Sequence, residues 1–117
     1  IVAFTDGKKT FCNEEEHQRI DSHYEVKIPH FQKVPSWAPY CVYNDGVSVY
    51  ISMRHLKQNL APNFYVLDDQ QQLLLVNYIT TPYGYRIDEL FAKGLLMVGT
   101  EDKAQKVYIN YIGRSHP

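Results

Sequence analysis

Three side chains near the start of the chain have the chemistry and spacing of a small metal-binding group. Glu14, His17 and Asp21 are separated by three and four residues, so a helix would place them on one face. Two carboxylates and an imidazole suit a hard or borderline divalent cation. His23 and His30 follow closely, but no motif of known ligand spacing is present. Because a solvated polar helix face has the same composition, the sequence predicts no metal and no cofactor, with Glu14, His17 and Asp21 kept as an alternative.

Two cysteines, Cys12 and Cys41, allow one disulfide bond and no cysteine-only metal site. Free thiols pack as small buried hydrophobes, and this is the expectation that the general burial preference of cysteine favours. A bridge would instead close a loop of about 29 residues. Free thiols favour an intracellular protein and a bridge favours a secreted one, so the localisation stays open. Neither cysteine has a catalytic signature around it, and no Gly-x-Ser-x-Gly turn occurs, so the catalytic residues are unknown.

Aromatic residues are the strongest departure in composition. The 117 residues include ten tyrosines, five phenylalanines and one tryptophan. Tyrosine combines a rigid apolar face with a polar tip and is therefore common in recognition surfaces. The predicted binding residues are the five aromatics in or beside two proline-containing loops, namely Phe31, Trp37, Tyr40, Tyr83 and Tyr85. An exposed aromatic on a rigid loop is a good anchor for a partner. The alternative is that the first loop folds back and Trp37 plugs the end of the sheet.

The segments around these aromatics are typical of β-hairpins. Asp6-Gly7 and Asp45-Gly46 suit the positive backbone angles of tight turns. Strand pairs are predicted at 1–5 with 9–12, 40–44 with 47–52, 63–67 with 73–79 and 95–99 with 106–112, and a further strand at 24–28. Prolines at positions 29, 35 and 39 predict that residues 29–39 form the longest loop, and residues 80–85 are predicted to form a second loop.

Three short segments predict surface helices. Asn13 followed by an acidic first turn favours a helix at 14–22, Ser52 followed by spaced apolar residues favours one at 53–60, and Gly94 suits the end of one at 86–93. No strand-helix-strand crossovers are apparent. The sequence therefore predicts a single α+β domain over residues 1–117, with a largely antiparallel sheet built from hairpins and about three short surface helices.

Charge and hydropathy limit the partners of such a domain. Twelve Lys and Arg residues against thirteen Asp and Glu residues leave a net charge of −1, which provides no overall attraction to nucleic acid. Apolar runs such as residues 73–76 have only four residues, whereas a membrane-spanning helix needs about 20. A soluble domain without a membrane span is expected.

These features favour a non-catalytic interaction module whose partner is another protein or a second copy of the chain. It would bind through the loop aromatics or through an open sheet edge. One alternative is a small metal- or histidine-assisted hydrolase or nuclease that uses the N-terminal carboxylates and histidines. Another is a nucleic-acid-binding domain, because the predicted helix at 86–93 and the hairpin after it follow the order of a recognition helix and wing.

Overall fold

Two antiparallel β-sheets make up the part of the chain that the structure describes. The structure is a computed structural model, and it describes residues 8–9, 20–53, 61–99 and 103–113. The strands run in chain order as β1 (Lys8–Lys9), β2 (Tyr24–Lys27), β3 (Pro39–Asn44), β4 (Val49–Met53), β5 (Asn63–Leu67), β6 (Leu73–Val76), β7 (Ile79–Thr81), β8 (Gly84–Ile87), β9 (Lys93–Val98) and β10 (Gln105–Tyr111). A large sheet has the order β1-β2-β10-β9-β5-β6, and a small sheet has the order β3-β4-β8-β7.

The hydrophobic core lies between the two sheets because alternate side chains of each strand point inward. In β4, Val49, Ile51 and Met53 are buried, while Tyr50 and Ser52 between them are half-buried. The small sheet also buries Val42, Tyr85 and Ile87, and the large sheet buries Phe64, Leu96, Val107 and Ile109. These residues belong to one continuous cluster. Each fully buried aliphatic or aromatic side chain contributes roughly 1.5–3 kcal/mol of transfer free energy.

The expected α+β class is wrong, because the structure is nearly all β and no helix occurs in its described residues. Residues 86–93, predicted as a helix, form the end of β8, a turn and the start of β9. The other two predicted helices lie mostly outside the described residues, but Asp21 makes a β-bridge to Asn44 and Met53 ends β4. β-sheet pairing decides the conformation of Asp21, Met53 and both ends of residues 86–93. The nucleic-acid alternative therefore lacks its recognition helix.

The described ranges contain no helix of the length and apolar character that spanning a bilayer requires.

Two turns are fixed by aspartate side chains that accept hydrogen bonds from the backbone. The hairpin predicted at Asp45 and Gly46 is present, but its loop contains residues 45–48 rather than those two alone. Gly46 has a φ of +93°, and Asp45 Oδ1 accepts from the backbone N–H groups of Val47 and Ser48, both at 2.9 Å. These bonds hold the pKa of the Asp45 carboxyl below its ordinary value. In the same way Asp68 Oδ1 accepts from the N–H of Gln72 at 2.9 Å. The turn predicted at Asp6-Gly7 lies outside the described residues.

The predicted strand at 73–79 is divided between the two sheets. Its first part, β6, pairs with β5 at the edge of the large sheet, whereas its last residue begins β7 at the edge of the small sheet. Residues 80–85, predicted as a loop, contain the rest of β7, the turn after it and the start of β8. The chain thus passes from one sheet to the other through Asn77 and Tyr78, and the two edge strands lie on the same side of the sandwich.

A disulfide bond holds Cys41, which lies on β3 and is buried. The expectation of free thiols is wrong for this residue; Cys12, the chain's other cysteine, lies outside the described residues. A bridge that closes a loop of about 29 residues stabilises a protein by about 3 kcal/mol, mainly by restricting the unfolded chain. An oxidising compartment is where such bonds persist.

We expect reduction to lower the free energy of unfolding by about 3 kcal/mol, for the loop-closure reason given above. The measurement is urea unfolding with and without reductant. The control is the double variant Cys12→Ala with Cys41→Ala, whose stability should not respond to the reductant. Equal stability of the oxidised and reduced wild-type protein would contradict the expectation.

Candidate protein-interaction surface

The loop between β2 and β3 is built from two turns and fastened to the large sheet. The backbone N–H of Gln32 donates to the carbonyl of Pro29 at 3.0 Å, and that of Ala38 donates to the carbonyl of Pro35 at 3.1 Å. The side chain of Gln32 pairs with the backbone of Lys106 in the way that a neighbouring strand would. Its Nε2 donates to the carbonyl of Lys106 and its Oε1 accepts from the N–H of Lys106, each at 2.8 Å. This reciprocal pair fixes the first turn against the start of β10.

Trp37 fastens the second turn. Its side chain is only 4% exposed and belongs to the hydrophobic core. The indole Nε1 donates to Oε1 of Gln105 at 3.0 Å, so the one polar atom of the buried ring has a partner. Because Gln105 is the first residue of β10 and Pro39 is the first residue of β3, this contact brings the starts of the two strands to the same end of the sandwich.

The fastened loop presents apolar side chains to solvent. Phe31, directly before Gln32, is 95% exposed, and Val34 is 68% exposed. The Phe31 ring meets the ring of His30 edge-on, with centroids 5.0 Å apart. The loop therefore uses its polar Gln32 and its buried Trp37 for attachment and leaves a large aromatic side chain without cover.

Two further tyrosines lie at this end of the small sheet. Tyr40 lies at the irregularity in pairing between Pro39 and Cys41, and Tyr83 lies in the turn between β7 and β8, where it is 72% exposed. The backbone N–H of Met53 donates to the carbonyl of Tyr83 at 2.9 Å, and Met53 pairs with Pro39 on its other side, so the two tyrosines lie on either side of the end of β4. We define the loop surface as Phe31, Val34, Tyr40 and Tyr83.

The structure divides the five predicted binding aromatics into two groups. Phe31, Tyr40 and Tyr83 are exposed, whereas Trp37 and Tyr85 are buried in the hydrophobic core. The ring of Tyr85 packs edge-on against that of Tyr78 at 4.8 Å, and burial raises its pKa. Sequence reasoning missed Val34, whose only signal was its position in the same loop.

The alternative metal group is only partly described. Glu14 and His17 lie outside the described residues, and Asp21 is engaged at the opposite end of the sandwich. One carboxylate oxygen of Asp21 lies 2.6 Å from Nδ1 of His23, and the other accepts the hydroxyl of Tyr111. Through the described ranges no group of three metal-ligating side chains converges. Asp21 thus joins β10 to the segment before β2.

This contact makes the stability of the fold depend on pH. Burial raises the pKa of Asp21, but the hydrogen bonds from Tyr111 and His23 outweigh it and leave that pKa below its ordinary 3.8. The same bond to Asp21 raises the pKa of Tyr111 from 10.0 to about 12. Because the pKa of Asp21 is lowered in the folded protein, its ionised carboxylate stabilises the fold above pH 3.8. This contribution is lost as the pH falls through the lowered pKa. A raised phenol pKa stabilises it below pH 10 and ceases to do so toward pH 12.

We therefore expect the variant Tyr111→Phe to be less stable than the wild type by about 1–2 kcal/mol near neutral pH, since a hydrogen bond to a partly exposed carboxylate is lost. The difference should shrink below about pH 4 and again above about pH 10. Urea unfolding of both proteins across this range measures it. A difference that stays constant with pH would show that the lost packing of the hydroxyl, rather than its bond to Asp21, matters.

A second exposed apolar feature lies on the edge strand β6. Leu73, Leu74 and Leu75 are all about half exposed or more, and Leu75 reaches 65%. Leu74 pairs with Val66 on the core-facing side, whereas Leu75 pairs with Tyr65 on the outer side, so both faces of this strand are apolar. The sequence signal was the apolar run of four residues at 73–76. We define the β6 edge as Leu73, Leu74 and Leu75.

The sequence of this chain is similar to one family of known proteins. The family model described as CagX: Conjugal transfer protein matches residues 1–110. The match covers the loop surface, the β6 edge and both sheets except the last residue of β10. No curated protein sequence matches the chain.

Proposed function

Because the chain belongs to the CagX family of conjugal transfer proteins, we propose that it is a non-catalytic recognition domain that binds a protein partner through the loop surface during conjugal transfer. Membership of this family is compatible with a part in a multi-protein complex. Within such a complex, the domain would recognise another protein chain by aromatic side chains that the attached loop holds outward.

The main support for this proposal is that one loop is held firmly to the sheet and still exposes a phenylalanine side chain. Phe31 is 95% exposed, yet the next residue, Gln32, makes two hydrogen bonds of 2.8 Å to the backbone of Lys106. Burying a phenylalanine side chain contributes about 1.5–3 kcal/mol of free energy. Folding of this domain does not gain that free energy, because Phe31 stays exposed. A partner can gain that free energy without ordering a flexible loop, because the ordering cost is already met by folding.

The neighbouring side chains suit a protein rather than a small ligand. The loop surface combines one phenylalanine, one valine and two tyrosines, and aromatic residues of this kind dominate the centres of protein interfaces. Tyr83 has a hydroxyl group beside an apolar ring. An exposed array at the end of a sandwich fits a second chain better than it fits an enclosed molecule.

The test is the frequency of conjugal transfer in cells that depend on this protein. We expect Phe31→Ala combined with Tyr83→Ala to reduce transfer at least about tenfold, because two central aromatic contacts are lost. The variant should unfold at the wild-type urea concentration, since both side chains are exposed. The matched control is Leu90→Ala, which removes an exposed apolar side chain from the turn between β8 and β9. Transfer at wild-type frequency by the double variant would refute the proposal.

A further inference from the structure

The β6 edge is short, but it lacks the charges, the proline and the bulge that commonly protect the edge of a sheet. Natural edge strands carry a lysine, a proline, a bulge or an inward-pointing charge that prevents further pairing. The four residues of β6 are Leu73, Leu74, Leu75 and Val76, and its pairing with β5 is regular along its whole length. Within the sheets of the described residues, β6 is the last strand of its sheet.

The hydrogen-bond register of the large sheet shows which backbone groups face outward. The N–H of Asp68 donates to the carbonyl of Gln72, so bonded pairs recur at every second residue along β5 and β6. Val66 with Leu74 and Phe64 with Val76 are therefore the bonded pairs. The independent bond from the N–H of Tyr111 to the carbonyl of Ala92 gives the same phase across β10, β9 and β5.

In this register the N–H and carbonyl groups of Leu73 and Leu75 point away from β5. Two donors and two acceptors thus lie along the free edge, about 6.8 Å apart from one residue to the other. The side chains beside them are apolar on both faces of the strand. The chemistry that satisfies such an edge is an extended polypeptide whose own backbone pairs with Leu73 and Leu75 and whose side chains are apolar where they meet the edge.

The edge also continues beyond the length of β6. A groove of about 350 Å³ lies at its end, where Asn63, Leu75, Asn77 and Tyr78 contribute to the walls. After two residues the chain enters β7, whose Ile79 and Thr80 are exposed on the other open edge. A second copy of β6 supplies only four strand residues between a turn and a crossing, whereas a longer extended segment can cover β6 and fill the groove.

We propose that the β6 edge binds an extended, apolar segment of a partner polypeptide as an additional strand of the large sheet, with one partner side chain in the groove beside Leu75 and Tyr78. This site is separate from the loop surface and does not rest on its function. The added strand would pair its backbone with Leu73 and Leu75.

The probe is a displayed library of random decapeptides, selected on the intact protein. We expect enriched peptides to alternate apolar residues and to slow exchange of the Leu73 and Leu75 amide hydrogens. Leu75→Lys should weaken their binding at least about tenfold, because a charged side chain protects an edge from pairing. The matched control is Leu90→Lys, which places the same charge on a residue that is 51% exposed and lies outside β6.

The outcomes separate this site from the loop surface and from self-association. Peptide binding that Leu75→Lys weakens, and that the Phe31→Ala and Tyr83→Ala double variant leaves unchanged, supports the β6 edge even if the loop surface has no partner. Failure to enrich any peptide, or enrichment that Leu75→Lys does not affect, overturns the proposal. A concentration-dependent dimer in sedimentation that Leu75→Lys abolishes overturns it in favour of a second copy as the occupant.

Discussion

Replacing Gly84 with alanine is expected to destabilise the protein by more than about 4 kcal/mol, an effect that few single substitutions reach. A Cβ atom at this position would lie 1.9 Å from the carbonyl oxygen of Ile51 and 3.2 Å from Cγ of Met53. The first of these atoms is backbone in the neighbouring strand β4, so relief requires β4 and β8 to separate. Since domains are stable by only about 5–15 kcal/mol, a large part of the folding free energy would be lost.

Gly46 provides the matched control for this prediction. Gly46 has a φ of +93°, but a Cβ atom there would meet nothing within 4 Å. Gly46→Ala should therefore cost only backbone strain, roughly 1–2 kcal/mol. Urea unfolding of the two variants separates steric conflict from strain. If Gly84→Ala were no less stable than Gly46→Ala, the close approach of β4 and β8 would be wrong.

Replacing Trp37 with alanine should destabilise the protein by about 3–5 kcal/mol, because a large core side chain is removed. Trp37 is 4% exposed and fastens the loop that carries Phe31 and Val34. The same substitution would release the second turn of the loop from Gln105, whereas Gln32 would still hold the first turn to Lys106. Hydrogen exchange should therefore accelerate in residues 36–38. Unfolding curves measure the first effect and exchange rates the second.

Trp37→Phe distinguishes the role of the buried ring from that of its hydrogen bond. The phenylalanine ring retains most of the apolar burial and loses the bond from Nε1 to Gln105, which should cost about 1 kcal/mol. Trp37→Ala with wild-type stability would contradict the placement of this ring in the core. It would return Trp37 to the set of exposed contact residues.

Short-range signals in the sequence predicted the hairpins well. The strand at 63–67 has the same bounds in the structure, and the turn at Asp45 and Gly46 is present because local hydrogen bonds to Asp45 and a positive φ at Gly46 determine it. Such features depend on neighbours in the chain and can be inferred without knowing the fold. The division of residues 73–79 between two sheets depends on the packing of the whole sandwich and could not be inferred.

The predicted helix at 86–93 shows why local propensity failed. Gly94 was interpreted as the residue that ends a helix, but it is buried in β9, where a Cβ atom would lie 2.7 Å from Phe64 and 2.8 Å from a ring atom of Phe91. The glycine is required by tertiary packing of two aromatic rings, which has no signal in the adjacent residues. Arg86 and Ile87 extend because β8 pairs on both sides.

The candidate site was predictable in its location and not in its details. Proline content and aromatic residues indicated the loop at 29–39, and the structure places Phe31 and Tyr40 at its surface. Nothing in the sequence distinguishes the buried Trp37 from the exposed Phe31, because the contacts that separate them come from Gln105 and Lys106, about 70 positions away. For the β6 edge, the sequence shows the apolar run itself. Its exposed position depends on the order of the strands in the sheet, which the sequence does not reveal.

Contact between Phe31 and a protein partner during conjugal transfer can be tested by photocrosslinking. A photoreactive benzoyl-phenylalanine replaces Phe31, and the same residue at Gln70, in the exposed turn between β5 and β6, is the matched control. In cells carrying out transfer, we predict a discrete crosslinked protein from position 31 and none of that size from position 70. The crosslink should persist when Leu75→Lys is present. Crosslinks that are absent at position 31, or identical from both positions, would contradict recognition through the loop surface.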